Sequence, residues 1–393
     1  MPADVRPLYL DHAATAPVLA EAMAAFEQAA REAYANPSSL HAAGAAAARR
    51  LERARQDLRA ALGADRYRVV WTGTGTEGNY LGIQGLARRL GPAAARACGG
   101  RPRVLVGAIE HPSAKEAAKA LVPQGFQVDS VPVDGAGIVR PAGLRPLLGP
   151  GVALVVIQWA NNELGGLNPI RELAALTRNL APGAAFHVDA VQAAGKLATP
   201  LDELGADAVA VAAHKLGGVR GCAALLLRED GPLPQPLTPG AGHEGGLRGG
   251  TENVAGAAAF AAAAAARRAR LQAEPRRYLD RRARLLALLR DAVPDLVPLG
   301  AEREEEMLPS ILAVAVPGAL AEPLLHRMEA EGVYVGSGSA CHSHGPAESP
   351  VLIAIQCPKH LRGSVLRFSL DGGETADDLQ RAAGALRRCL AAV

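Results

Sequence analysis

Short apolar runs alternate with alanine-rich, amphipathic segments between about residues 65 and 230. The runs are rich in valine, leucine and isoleucine, which is typical of buried strands, and the segments between them have helical periodicity. We predict strands at residues 67–71, 103–109, 153–157, 185–188, 208–211 and 223–227. This alternation predicts βαβ units and an α/β fold with a mostly parallel sheet, covered by helices on both faces.

The pattern changes after residue 230. A segment rich in glycine and proline, residues 231–250, interrupts the alternation, and one long helical pattern follows over residues 254–292. Further apolar runs at 311–316, 333–335 and 365–370 predict a smaller α+β domain. We therefore expect a large domain at residues 16–260 and a small domain made of residues 1–15 and 261–393.

Composition and charge exclude several classes of protein. The net charge is +3, and the arginines are scattered among acids and alanines, so nucleic-acid binding is not expected. The five cysteines are far apart and form no CxxC pair, which fits a reducing cytoplasm better than a disulfide framework. The first residues contain no long apolar segment and the alanine-rich run at 257–266 is short, so we expect a cytoplasmic protein without membrane contact.

Polar residues follow the predicted strands, at the sheet edge where open α/β folds bind their ligands. His214 and Lys215 follow the strand at 208–211, and lysine forms Schiff bases with carbonyl cofactors. Asp189 could keep a pyridinium nitrogen protonated, which pyridoxal phosphate needs. His111 could stack on an aromatic cofactor and move protons. Each residue also has a plain structural explanation, but their joint occurrence favours a pyridoxal-phosphate site.

A glycine-rich turn at residues 73–78 joins the first predicted strand of the sheet to a helix. Formally it is GxGxxG, but a dinucleotide site also needs an acid about 20 residues further on, and the first acid is Glu110. The alternatives are a tight turn or a single phosphate held at the helix N-terminus by backbone N–H groups and the Thr76 hydroxyl.

Three further positions carry candidate chemistry. Asn162 follows the strand at 153–157, where it could cap a helix or bond a phenolic oxygen. Cys341 lies between glycines and serines beside two histidines, which favours an accessible thiol over a metal cluster because a fourth ligand is lacking. Arg367 stands in an otherwise apolar strand and needs an anion, such as a substrate carboxylate. We expect no bound metal ion.

Together these segments resemble a cysteine desulfurase, of the class V branch of pyridoxal-phosphate enzymes of fold type I. The resemblance is carried by residues 9–15, 36–41, 72–79, 110–111, 160–165, 187–192, 214–215, 248–253, 338–343 and 366–370. It implies fold type I, with a mostly parallel seven-stranded sheet in the large domain. Residues 340–343 and 349–352 also resemble selenocysteine lyases, so that activity and other class V chemistry stay as alternatives.

The resemblance assigns roles residue by residue. Lys215 would hold pyridoxal 5'-phosphate through a Schiff base, and Cys341 would attack the substrate sulfur and carry it as a persulfide. Gly75, Thr76 and His214 would contact the cofactor phosphate, and Thr251 would reach the same phosphate from the partner subunit. Asp189 would pair with the pyridinium nitrogen, His111 would stack on the ring, and Asn162 and Gln192 would contact the phenolic oxygen. Asn36 and Arg367 would bind the substrate carboxylate.

The implied reaction converts L-cysteine to L-alanine and passes sulfur from Cys341 to an acceptor or scaffold protein, as in iron–sulfur cluster biogenesis. Thr251 would serve the other active site, which implies a homodimer. One departure is Ala212, where the family often has serine or threonine, so one phosphate hydrogen bond is expected to be missing.

Overall fold

The structure is a computed structural model that describes residues 6–238, 240, 242–337 and 348–391. Its strands in these ranges are β1 (Leu8–Tyr9), β2 (Tyr67–Thr72), β3 (Arg103–Gly107), β4 (Gln127–Val131), β5 (Val152–Gln158), β6 (Ala185–Asp189), β7 (Ala208–Ala212), β8 (Ala223–Arg228), β9 (Val297–Leu299), β10 (Ile311–Ala315), β11 (Val333–Tyr334), β12 (Gly336–Ser337) and β13 (Val365–Ser369). Its helices there are α1 (Ala20–Glu32), α2 (Ala42–Leu62), α3 (Gly75–Cys98), α4 (Pro112–Lys119), α5 (Pro141–Leu144), α6 (Ile170–Leu180), α7 (Val254–Ala273), α8 (Arg277–Ala292), α9 (Ala321–Ala330), α10 (Pro350–Ala354), α11 (Lys359–Arg362) and α12 (Ala376–Ala391).

A seven-stranded sheet forms the centre of the fold, with strand order β2-β8-β7-β6-β5-β3-β4. Neighbouring strands from β7 to β4 are parallel, and β8 runs antiparallel to both β7 and β2. The prediction of an α/β fold with a mostly parallel seven-stranded sheet is therefore confirmed. The carboxyl ends of β5, β6 and β7 lie side by side, so the polar residues that follow them meet at one edge.

Side chains of the central strands alternate between two apolar layers. In β5, Val155 and Ile157 join one buried cluster, and Leu154 and Val156 join the other. This alternation follows from the two-residue period of a strand, and a strand buried on both faces is apolar throughout. Helix α3 packs on the second of these layers through Leu81, Ile83 and Leu86, which places its N-terminus beside the carboxyl ends of the strands.

The seventh strand of the large sheet, β4, lies outside the six segments that hydrophobicity predicts there. Its sequence is Gln-Val-Asp-Ser-Val, and among the described residues it pairs only with β3, at the edge of the sheet. An edge strand is not enclosed on both sides, so it does not need a continuous apolar run.

The prediction of one helix over residues 254–292 is wrong. The structure has two helices, α7 and α8, separated by Glu274, Pro275 and Arg276. Proline has no backbone N–H and clashes with the preceding turn, so it ends the first helix.

A second, antiparallel sheet has the order β12-β13-β10-β9 and packs with α8, α9 and α12 around its own apolar cluster. Strand β1 pairs in parallel with β11 and brings the N-terminal residues to this part of the molecule. The domain limits at residues 15 and 260 stay a prediction. Within the described ranges, every helix is too short or too polar to cross a membrane.

Candidate active site

A cavity of about 280 Å³ opens at the carboxyl ends of β5, β6 and β7. It is lined by eight of the predicted site residues, Gly75, Thr76, His111, Asn162, Asp189, Gln192, His214 and Lys215. Asn79, Ser113 and Gln158, which the sequence analysis did not single out, also line it. Residues from distant parts of the chain thus meet at the edge that the strand pattern indicates.

Lys215 ends a short 3₁₀ turn, Ala213–Lys215, that follows β7 directly. Its Nζ donates hydrogen bonds to the carbonyl oxygens of Ala13, at 2.6 Å, and Ala14, at 2.8 Å. These two carbonyls hold the amine beside the cavity. The adjacent His214 places Nδ1 3.2 Å from Thr15 Oγ1, and burial lowers the pKa of His214 to about 4, so its ring is neutral.

The N-terminus of α3 forms one end of the cavity. Thr74 Oγ1 accepts from Glu77 N at 3.0 Å, and the first turn closes through Gly78 N to Thr74 O at 3.1 Å. Gly75 and Thr76 come before the first residue whose N–H bonds within the helix. N–H groups at such a position of a helix N-terminus can bind a phosphate. This end of the cavity therefore fits a phosphate group.

Asp189 ends β6 and is only 7% exposed. Asn79 Nδ2 donates to its Oδ2 at 2.8 Å, and Val191 N donates to its Oδ1 at 3.0 Å. These bonds fix a carboxylate in the cavity wall, as pairing with a pyridinium nitrogen requires.

His111 caps helix α4 with its side chain. Its Nδ1 accepts from Ser113 N at 3.1 Å and lies 2.8 Å from Ser113 Oγ. Burial lowers the pKa of His111, Asp189 opposes this effect, and Lys215 adds to it.

Gln192 is held from both sides of its amide. Its Nε2 donates to Ala13 O at 2.9 Å, and its Oε1 accepts from Lys196 Nζ at 3.3 Å. Lys196 is buried, and its burial, with the charges of Lys215 and Arg267, lowers its pKa to about 7. The sequence analysis did not find Lys196, and the one signal for it there is its spacing of four residues from Gln192.

Arg367 lies in β13, next to the cavity, and is 4% exposed. Its Nη1 donates to Asn162 O at 2.9 Å, and its Nη2 donates to Asp11 Oδ1 at 2.7 Å. Asn162 lines the cavity, so the guanidinium adjoins it through that residue.

Besides Arg367, two predicted residues lie outside the cavity lining, and Cys341 lies outside the described residues. Asn36 is exposed, and its Oδ1 accepts from Ser38 N at 2.9 Å. Thr251 is also exposed, in the loop after Arg248, whose Nε donates to Glu77 Oε1 at 2.8 Å. Cys341 belongs to residues 338–347, which lie outside the described residues.

The described residues on either side of that range adjoin the site. On one side, Gly336 is paired with Arg367 in the register of β12 and β13. On the other, Ser349 Oγ donates to Glu163 Oε2 at 2.7 Å, and Glu163 directly follows Asn162. Burial raises the pKa of Glu163 to about 7.

Comparison with known proteins agrees with this geometry. The sequence model of the family Aminotransferase class-V matches residues 8–382. The chain is 33% identical to "Cysteine desulfurase IscS" of Dictyoglomus turgidum over 98% of this chain and 95% of that protein. It is 35% identical to "Cysteine desulfurase" of Bradyrhizobium diazoefficiens over 93% of this chain and 89% of that protein. The solved structure of a "NIFS-like protein" superposes with a TM-score of 0.88 at 27% identity, covering 99% of this chain and 100% of the other.

The chain therefore belongs to the class-V aminotransferase family, whose members use pyridoxal phosphate. Within that family it is a cysteine desulfurase homologue over nearly its whole length, which confirms the resemblance stated above. Pyridoxal phosphate is its cofactor, and the cavity fits that group because it combines a lysine amine, a buried carboxylate and a helix N-terminus.

Proposed function

We propose that this protein removes sulfur from L-cysteine, releases L-alanine and carries the sulfur as a persulfide on Cys341. The observation that supports this most is the meeting of Lys215, Asp189 and His111 in one cavity, with Arg367 at its border. The names of the relatives support the choice of substrate.

The cavity residues divide among the parts of the cofactor. Lys215 would hold the carbonyl carbon, and Gly75, Thr76 and His214 would contact the phosphate. Asp189 would pair with the ring nitrogen, and Asn162 and Gln192 would contact the phenolic oxygen. When bound, pyridoxal phosphate supplies an electron sink that stabilises negative charge on the substrate Cα.

Three residues act on the amino-acid part of the substrate. Arg367 binds the substrate carboxylate, because a guanidinium presents several N–H donors in one plane, and Asn36 adds a second contact. Lys215, which would hold the cofactor, would take the proton from the substrate Cα when its amine is free. An amine held beside the cavity by the Ala13 and Ala14 carbonyls lies where that transfer needs a base.

Cys341 acts on the substrate sulfur. Its thiolate attacks Sγ, an S–S bond forms, and the Cβ–Sγ bond breaks with its electron pair left on the carbon side. Cβ then takes up a proton, the proton that Lys215 removed returns to Cα, and alanine leaves, so the step needs no external oxidant. Gly336 and Ser349, the described residues that flank the range with Cys341, adjoin Arg367 and Glu163, which supports placing the thiol at this site.

The partners follow from the same account. We propose a homodimer, because exposed Thr251 lies outside the cavity of its own chain and would reach the phosphate of the partner subunit. The persulfide sulfur would pass to an acceptor or scaffold protein, and names such as IscS support a role in iron–sulfur cluster biogenesis. A reducing, cytoplasmic location is supported by the four described cysteines, which are all unpaired.

The test measures alanine from L-cysteine with the cofactor-loaded protein and a thiol reductant. We expect steady alanine release, and a rate lower by about 10²-fold or more in Lys215→Ala, because the base and the cofactor anchor are both lost. Normal turnover in Lys215→Ala would contradict the assignment. Alanine formed from selenocysteine but not from cysteine would favour selenocysteine lyase activity instead.

A further inference from the structure

We propose that Asn79 is a positioning residue which, through Ser113, holds His111 with its ring proton on Nε2. His111 would then serve the reaction as a hydrogen-bond donor and not as a base. The role in the reaction rests on the proposed function, whereas the hydrogen-bond assignment rests only on the geometry of the chain.

The carboxylate of Asp189 fixes the orientation of the Asn79 amide. A carboxylate accepts hydrogen bonds and donates none, so the Asn79 amide must turn its Nδ2 toward Asp189 Oδ2, at 2.8 Å. The second Nδ2 proton points to Ser113 Oγ at 2.9 Å. Both amide protons are thereby used, and the orientation of Asn79 is fixed.

The other side of the Asn79 amide agrees with this orientation. Its Oδ1 can only accept, and it lies 3.0 Å from His187 Nε2. His187 is fully buried, and burial lowers its pKa to about 3, so its ring carries one proton. That proton must lie on Nε2, which leaves Nδ1 bare, and Nδ1 has no hydrogen-bond partner among the described residues.

The chain of donors then continues to His111. The backbone N–H of Ser113 donates to His111 Nδ1 at 3.1 Å, so this nitrogen carries no proton. The Ser113 hydroxyl, which accepts from Asn79, therefore donates its own proton to the same nitrogen at 2.8 Å. A ring nitrogen that accepts two hydrogen bonds carries no proton, so the neutral ring of His111 has its proton on Nε2.

This tautomer limits what His111 can do. A neutral imidazole with its proton on Nε2 donates a hydrogen bond there and has no lone pair for a substrate proton. A base role would need the proton on Nδ1, which would break the bond from Ser113 N. The fixed donor can stabilise negative charge that develops in the cavity, and proton removal from Cα is left to Lys215.

The experiment is a long-range ¹H–¹⁵N spectrum of protein with ¹⁵N-labelled histidine, without and with cofactor. The resonances of His111 are identified by their absence from the spectrum of His111→Gln. We expect a protonated Nε2 and a bare Nδ1 throughout the neutral pH range. In Asn79→Ala and Ser113→Ala the two nitrogen resonances should shift toward each other, because the second tautomer becomes populated.

The control is Thr177→Val, which deletes a buried hydroxyl that bonds Leu173 O at 2.9 Å, away from the site. It should leave the His111 resonances unchanged. A protonated Nδ1 in the wild type, or unchanged His111 resonances in either Asn79→Ala or Ser113→Ala, would overturn the proposal. The spectrum without cofactor does not depend on activity. If the protein shows the expected His111 resonances but makes no alanine, the proposed function is contradicted and the hydrogen-bond assignment is not.

Discussion

Arg367 and Asp11 form an ion pair, with Nη2 of the guanidinium 2.7 Å from Oδ1 of the carboxylate, that joins β13 to the segment after β1. The guanidinium side chain is 4% exposed and that of Asp11 is 22% exposed. A buried guanidinium without an anion is strongly destabilising, so Asp11 is its resident counter-ion. The proposed substrate carboxylate would be a second anion on the same group.

Replacing Arg367 with lysine should raise the KM for L-cysteine about 10-fold or more. The guanidinium can donate hydrogen bonds in one plane to Asp11, to the Asn162 carbonyl and to a substrate carboxylate, and an ammonium group cannot. The measurement is the dependence of alanine release on L-cysteine concentration. Arg276→Lys, at an exposed arginine paired with Glu304, is the control and should keep the wild-type KM. An unchanged KM in Arg367→Lys would exclude Arg367 from substrate binding.

Replacing Gly82 with alanine should destabilise the protein by about 1–3 kcal/mol, because the core there is already filled. A Cβ at Gly82 would lie 2.6 Å from Cε1 and Nδ1 of the buried His187 ring. The measurement is the free energy of unfolding in urea. Gly183→Ala is the matched control, since its Cβ would meet no atom within 4 Å. Equal stability of the two variants would show that the His187 ring can move aside.

Replacing Lys196 with methionine should change how stability depends on pH. The folded-state pKa of Lys196 is lowered from 10.5 to about 7, so between these values the unfolded chain binds a proton that the folded protein does not. Wild-type stability should therefore fall, relative to Lys196→Met, as pH decreases from 10.5 to about 7, by at most about 1.4 kcal/mol per pH unit.

The measurement for Lys196 is the unfolding free energy of both proteins across that pH range. Lys119→Met, at an exposed lysine, is the control and should show no pH-dependent difference from the wild type. A constant difference between wild type and Lys196→Met would mean that Lys196 stays charged in the folded state.

The strand pattern was enough to place Lys215, Asp189 and His111 at one sheet edge, because parallel strands present their carboxyl ends together. It could not find β4, whose edge position leaves it polar. Asn79 lies one turn into α3, on the face of Thr76, and that helical spacing is a signal that could have pointed to it. The Arg367 to Asp11 pair spans almost the whole chain, so no local pattern reveals it.

The central claim is that Cys341 takes the sulfur of L-cysteine, and a single-turnover reaction tests it most directly. Cofactor-loaded protein is mixed with L-cysteine without reductant, and alanine is quantified together with the added sulfur on each cysteine-containing peptide by mass spectrometry. We expect equal amounts of alanine and of persulfide on Cys341, the same result in Cys98→Ser, and cofactor-bound L-cysteine without alanine in Cys341→Ser. Alanine formed by Cys341→Ser at the wild-type level, or persulfide on another cysteine, would contradict the account.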